Sequence, residues 1–123
     1  MSEHQEGALS VYRVLDLTDQ KGSFCTKMLA DLGADVIKIE RPEGDATRSI
    51  PPFAGDVPHN ERSLYFLFRY ANRRGVTLNL ETADGKKIFE KLVKKADVLV
   101  ETLPPGYMAS LGLDYPALKK LNP

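Results

Sequence analysis

The stretch LADLGADVIKIE, residues 29–40, limits the possible folds more than any other part of the chain. Cys25, Met28, Leu29 and Leu32 recur at i, i+3, i+4 and i+7, which predicts a helix with one buried face. Gly33 follows its last turn, where a left-handed cap favours a residue without Cβ. The β-branched run from Asp35 to Ile39 then predicts a strand. Upstream, Tyr12 to Leu17 sets Val14, Leu15 and Leu17 around charged Arg13 and Asp16, and reads as another strand. Two strands joined through a helix by short turns lie parallel, with a right-handed crossover.

The pattern repeats further on. Gly75 to Leu80 alternates Val76, Leu78 and Leu80 with polar residues, a third strand. Thr82 caps a helix from Ala83 to Lys95 that turns Ile88, Phe89, Leu92 and Val93 inward and Lys87, Glu90, Lys91 and Lys94 outward. Asp97 to Glu101 is a fourth strand, and Pro104-Pro105-Gly106 opens two short helices around 107–111 and 116–121. Between Arg41 and Glu61 four prolines predict a long loop, of the kind that carries function. Ser63 to Tyr70 reads as a short aromatic helix, with Ser63 or Asn60 as its cap. The expected fold is α/β: a Rossmann-like three-layer domain over residues 11–123, with a mostly parallel sheet of about four strands, after a loose terminus at 1–10.

Seventeen basic and seventeen acidic side chains balance to zero, which argues against general nucleic-acid binding. A single cysteine, Cys25, rules out an internal disulfide framework and points to a reducing compartment. The polar start MSEHQEGALS lacks the apolar core of a signal peptide, and no apolar run approaches the roughly 20 residues of a membrane span. The expected location is cytoplasmic. The chain stops at Leu121-Asn122-Pro123 straight after an amphipathic segment, where proline commonly leads into a next element, so a longer molecule is expected.

Two constellations suggest ligands. Glu40 ends the second strand about twenty residues after the first turn, where a dinucleotide fold places its ribose-binding acid. That turn, TDQKGSF, has Gly22 alone, so the glycine spacing that brings backbone to a pyrophosphate is absent. The other constellation is an anion-binding rim. In a parallel sheet Lys21, Arg41 and the loop after strand four converge on one edge, while Arg73 and Arg74 sit at the other unless their loop folds back. Arg41 is the strongest candidate, since a guanidinium stacks on a purine and also pairs with phosphate. Against the rim stands the plain alternative that its cations are solvated surface charges. Cys25 is expected in the core; Tyr65, Phe66 and Phe68 in packing; Asp16 and Asp35 in local pairs or caps. His4 and His59 lack ligand spacing, so no metal site is expected. No Ser-His-Asp or Cys-His arrangement is present, and site chemistry alone indicates binding without catalysis.

RVLDLT, LADLGADVIKIERPEGDATR, SLYF, NRRGVTLNLETADGKKIFEKLVKKADVLVE and PPGYMASLGLDYPALKKLNP together resemble the class III CoA-transferases. This is the family of formyl-CoA transferase, carnitine CoA-transferase and α-methylacyl-CoA racemase. The resemblance runs from Tyr12 to Pro123. It implies an amino-terminal portion that holds CoA or acyl-CoA at the strand ends, with Arg41 against the adenine and Gln20, Lys21 and Gly22 near the thioester end. Leu78, Asn79, Leu80 and Glu81 match a further CoA-contacting segment, as do Thr102, Leu103 and Pro104. Glu40 becomes a structural partner instead of a ribose ligand. The family's first turn is commonly one residue longer with an A-G-P run; relatives often carry asparagine and an aromatic at Thr102 and Leu103, and several an arginine at Ser110.

The resemblance also implies chemistry outside this chain. The family's catalytic aspartate, which forms an acyl anhydride and then a CoA thioester, falls beyond Pro123, so no catalytic residue is expected here. The whole protein would move CoA between carboxylic acids as an interlocked homodimer, and this part alone would be inactive. Racemisation of an α-methylacyl-CoA is the alternative within the family. A stand-alone nucleotide-binding or interaction module is the alternative outside it.

Overall fold

Strands β1 (Arg13–Leu17), β2 (Asp35–Glu40), β3 (Arg74–Thr77) and β4 (Val98–Glu101) form one sheet in the order β3-β2-β1-β4, each neighbouring pair parallel. The computed structural model describes residues 6–123. His4 and the first half of the expected loose terminus lie outside them. Helices α1 (Ser23–Asp31), α2 (Leu64–Arg69), α3 (Ala83–Val93), α4 (Tyr107–Ser110) and α5 (Tyr115–Leu121) complete a Rossmann-like α/β domain. The chain runs outward from β1 to β3 and then returns to the other side of β1. The direction of winding therefore switches between β1 and β4, the point where open sheets leave a crevice at their carboxyl ends.

Alternate residues of β1 and β2 face opposite layers. Leu15, Leu17, Ile37 and Ile39 meet Leu78, Phe89, Val93, Met108 and Leu113 in the larger core. Val14 and Val36 meet Ala30 and Ala34 in a smaller one, with Leu9, Leu29 and Val100 at its border. Asp16, Lys38 and Glu40 continue the row of Val14 and Val36, and all three are buried. Half of one sheet face is thus charged under cover, and the residues that neutralise it determine the loops above.

Several expectations need correction. α1 buries Ser23, Thr26 and Ala30, while Cys25 is exposed and Met28 and Leu32 are nearly half exposed. Small side chains let this helix approach the sheet and meet the charged row; of the expected stripe only Leu29 still packs, at the border of the smaller core. α3 buries Gly85, Phe89 and Val93, leaving Ile88 exposed. It ends at Val93, short of Lys95. β3 ends at Thr77, and the chain from Leu78 turns over the sheet edge with the Leu78 amide donating to the Glu40 carbonyl (2.8 Å). From Gly7 the terminus is docked: the Leu9 amide donates to the Leu32 carbonyl (3.0 Å), and Gly7 packs on Gly33, whose φ of 103° requires glycine. The loop from Arg41 holds two 3-10 turns, Ala46–Ser49 and Ala54–Asp56, and Ser63 caps α2 by accepting from the Phe66 amide.

Candidate functional site

A cavity of about 480 Å³ opens at the carboxyl ends of the strands, walled by the loops after all four. The β1 loop is shaped by Asp19. Its carboxylate accepts from the Lys21 amide and the Thr102 hydroxyl (both 2.9 Å), and its own amide donates to Thr102 Oγ1 (2.9 Å). Burial pushes the Asp19 carboxyl up, but Lys21 and Thr102 together hold it below the usual range. Gly22 is where this loop touches the β4 loop. A Cβ there would stand 2.6 Å from Thr102 Cγ2 and 2.9 Å from Thr18 Cγ2, so glycine is needed for the approach. Lys21 pairs with Asp19 at 2.8 Å and is largely exposed.

Arg41 projects at the mouth. Its nearest carboxylate is Glu43, 3.5 Å away, and the side chain is 64% exposed, so the guanidinium remains open to a ligand. Opposite, the Tyr107 hydroxyl donates to Glu81 (2.9 Å); that bond, with some burial, pushes the phenol up. Asn79 turns the β3 loop into α3: its carboxamide oxygen accepts from the Glu81 amide (3.0 Å), and its carbonyl from the Thr82 hydroxyl (2.9 Å).

Of the residues singled out from sequence, Lys21, Arg41, Leu78, Asn79, Leu80, Glu81, Thr102, Leu103 and Pro104 border this cavity. Gln20 and Gly22 do not. Gln20 is exposed on the turn, and Gly22 lies beneath it. Ser110 is also outside; its hydroxyl donates to the Tyr107 carbonyl (2.6 Å). The chain at Arg73 and Arg74 enters β3 at the opposite edge of the sheet, though the Arg73 side chain reaches back over the sheet to Asp16. Arg74 pairs with Asp35 (2.7 Å), and Arg73 is buried against Asp16 and donates to Thr26 Oγ1 (2.8 Å). Asp35 therefore pairs across the fold, with Arg13 and Arg74, whereas Asp16 does both: one oxygen accepts locally from the amide (2.9 Å) and hydroxyl (2.6 Å) of Thr18 and the other meets Arg73.

Glu40 is wholly engaged. Arg48 grips both oxygens at 2.7 Å, and the Asp45 amide donates to one of them (2.8 Å). Burial raises this carboxyl, yet Arg48 and the Asp45 amide outweigh it and hold it low. Sequence reasoning missed Lys38 and Tyr107. Lys38 carried a signal, a charge in the middle of a strand that a parallel sheet covers on both faces. Tyr107 carried none beyond its place after the Pro-Pro-Gly turn.

A second cavity, about 580 Å³, lies along β4 and α5, lined by Leu99, Met108, Leu113 and Leu118 among others. It is the larger, but no loop from β2 or β3 reaches it. Among the described residues no cluster of His, Cys, Asp and Glu is placed to hold a metal, and no helix is long and apolar enough to cross a membrane.

Residues 9–123 match the family described as CoA-transferase family III. Succinyl-CoA:mesaconate CoA-transferase of Haloarcula marismortui is 44% identical over 118 residues, 95% of this chain and 30% of that protein. Formyl-CoA:oxalate CoA-transferase of Escherichia coli is 45% identical over 113 residues, 90% of this chain and 26% of that one. Among solved structures, a CAIB/BAIF family protein from Brucella suis superposes with a TM-score of 0.87 at 40% identity, covering 97% of this chain and 32% of that one. A hypothetical protein from Mycobacterium tuberculosis gives 0.83 at 36%, over 95% of this chain and 31% of that one. The chain thus spans under a third of the length of these relatives.

Proposed function

The chain belongs to CoA-transferase family III, and from that premise we propose that it is the CoA-binding portion of an enzyme that exchanges CoA between carboxylic acids. One observation carries the reading. Lys21, Arg41, Leu78 to Glu81 and Thr102 to Pro104 come from four separate loops and border a single cavity at the winding switch. Arg41 offers a planar cation to the adenine. The pantetheine arm then runs past the β1 turn, where Gln20, Lys21 and Gly22 stand, toward the thioester.

The reaction needs a carboxylate nucleophile. It attacks the acyl-CoA carbonyl and expels the CoA thiolate, leaving an acyl anhydride on the enzyme; the thiolate then attacks the enzyme carbonyl of that anhydride, releasing the acid and leaving an enzyme CoA thioester. An incoming carboxylate reverses the sequence. The aspartates closest to the cavity are committed elsewhere: Asp19 to Lys21 and Thr102, Asp45 to Lys38 and Thr47. The resemblance puts the family's catalytic aspartate beyond Pro123, so on this reading the nucleophile comes from outside residues 1–123 and this chain binds without catalysing.

Calorimetric titration of the 123-residue chain with CoA tests this. High-micromolar to millimolar binding is expected, weakened roughly five- to tenfold by Arg41→Ala, as removal of a partly exposed cation–π contact predicts. No heat with the parent chain, or equal affinity in the variant, would count against the assignment. A chain that moved acyl groups unaided would overturn the placement of the nucleophile.

A further inference from the structure

The charged row beneath the cavity contains more ions than stability explains. Asp16 and Lys38 are register partners on β1 and β2, and Glu40 follows on the same face. Arg73, Asp45 and Arg48 neutralise them in turn. Apolar residues of similar volume often serve a core as well or better than buried ion pairs, so the row calls for another reason.

Lys38 differs from the rest in where its donors go. Its Nζ donates to the carbonyl of Thr18, which opens the β1 loop, and to Asp45 Oδ2 (2.9 Å) in the β2 loop. It also lies 4.4 Å from the centre of the Tyr70 ring. An ammonium has three donors, and a carbonyl, a carboxylate and a ring face engage all three. The side chain is 3% exposed, so although it borders the cavity it has nothing left to offer a ligand.

Its neighbours fix each of the two loops separately. The Tyr70 hydroxyl donates to the same Thr18 carbonyl (2.8 Å), and Thr18 Oγ1 donates to Asp16 (2.6 Å). Asp45 uses its other oxygen to accept from the amide (2.9 Å) and the hydroxyl (2.5 Å) of Thr47, starting the 3-10 turn. The first loop carries Lys21 and the second carries Arg41.

We infer that Lys38 is a positioning residue for the ligand site: it clamps the β1 loop to the β2 loop and so sets the placement of Lys21 relative to Arg41, without touching the ligand. The identity of that ligand rests on the function proposed above; the clamp does not.

The test uses Lys38→Met, Lys38→Met with Asp45→Asn, and Tyr70→Phe in the 123-residue chain. The double variant removes the unpaired buried charge, while the carboxamide introduced at position 45 retains an oxygen to cap Thr47. CoA affinity is read by calorimetry, and loop order by amide hydrogen exchange over residues 18–22 and 41–47. In the double variant, affinity is expected to fall about tenfold, with faster exchange in both loops at once. Tyr70→Phe, which loses a bond to Thr18 only, is expected to loosen the first loop and leave the second protected. Lys38→Met alone should match the double variant if it folds; if it does not, the other two decide.

A folded double variant with parental protection in both loops and affinity within about twofold of the parent would overturn the clamp. If the parent binds no CoA, the proposed function fails on its own, and the exchange data still decide: joint loosening supports the clamp and unchanged protection refutes it.

Discussion

Both oxygens of Glu40 are occupied, by Arg48 from the far side of the loop and by the Asp45 amide. Arg48 itself lies over the Phe66 ring (3.8 Å) and donates to the Asn60 carbonyl (3.0 Å), so this one ion pair ties the long loop to both β2 and α2. Glu40→Gln leaves a largely covered guanidinium facing a neutral amide. A loss of about 2 kcal/mol is expected, less than for a fully buried pair because Arg48 keeps some solvent. Glu40 borders the cavity, but both its oxygens are already taken by Arg48 and the Asp45 amide, so affinity for CoA should stay within about twofold. Urea denaturation beside calorimetry separates the two roles. A ribose-binding acid would show the reverse, with affinity lost and stability kept. Cys25 gives a simpler check. It is exposed on the outer side of α1, so native protein is expected to react fully with a thiol reagent without denaturant.

The start of α3 shows how two substitutions one turn apart act through different physics. Thr82 caps the helix by accepting from the Gly85 amide (3.0 Å), and Thr82→Ala is expected to cost about 1 kcal/mol. Gly85 fails for another reason. A Cβ there would lie 1.8 Å from the Asn79 carbonyl oxygen, and backbone cannot move aside as a side chain can. Gly85→Ala is expected to cost about 2 kcal/mol or more and to weaken CoA binding, because Asn79 begins a cavity wall. Thr82→Ala also gives up the bond to the Asn79 carbonyl (2.9 Å) but forces no backbone shift there, so binding should stay within about twofold; thermal melts and titrations of both variants compare them. The contrast also explains what the sequence disclosed. The Thr82 cap, the Gly33 stop and the four strands follow from contacts within a few residues, and these were legible. The buried face of α1 was not, because the apolar stripe at Cys25 and Met28 lost to small Ser23, Thr26 and Ala30 once the charged row had to be covered. The positions of Lys21 and Arg41 at one edge were legible from parallel pairing alone. The depth of Lys38 was hinted at by its mid-strand place, but its partners were not legible, since they lie 20 residues before it, in Thr18, and 7 residues after it, in Asp45.

For the whole molecule these ties make acid the condition that tests the architecture. Asp19, Asp31, Asp35, Glu40 and Asp45 are all held below their ordinary values, 3.8 for aspartate and 4.5 for glutamate. For Glu40 and Asp45 burial works against this, but their cationic partners and hydrogen bonds prevail. A carboxyl depressed on folding stabilises the native state fully above its unfolded value. That stability is lost as pH falls through the folded value. The stability of the chain is therefore expected to be level from neutrality down to about pH 4.5 and to fall below it. The contributions are unequal. Asp35 pairs with Arg13 and Arg74 at the surface, where salt screens the attraction. The side chains of Glu40 and Asp45 are 10% and 11% exposed, and their pairs are screened far less. Urea midpoints measured from pH 3 to 7 in about 0.1 M and 1 M salt resolve the two groups: high salt should flatten only a minor part of the acid loss. Glu40→Gln should remove part of the remaining slope, because one of the depressed carboxyls no longer takes up its proton on unfolding. A slope abolished by salt, or unchanged in Glu40→Gln, would mean that surface charge and not the buried row governs acid stability. The loops around the cavity would then owe their order to something other than these ions.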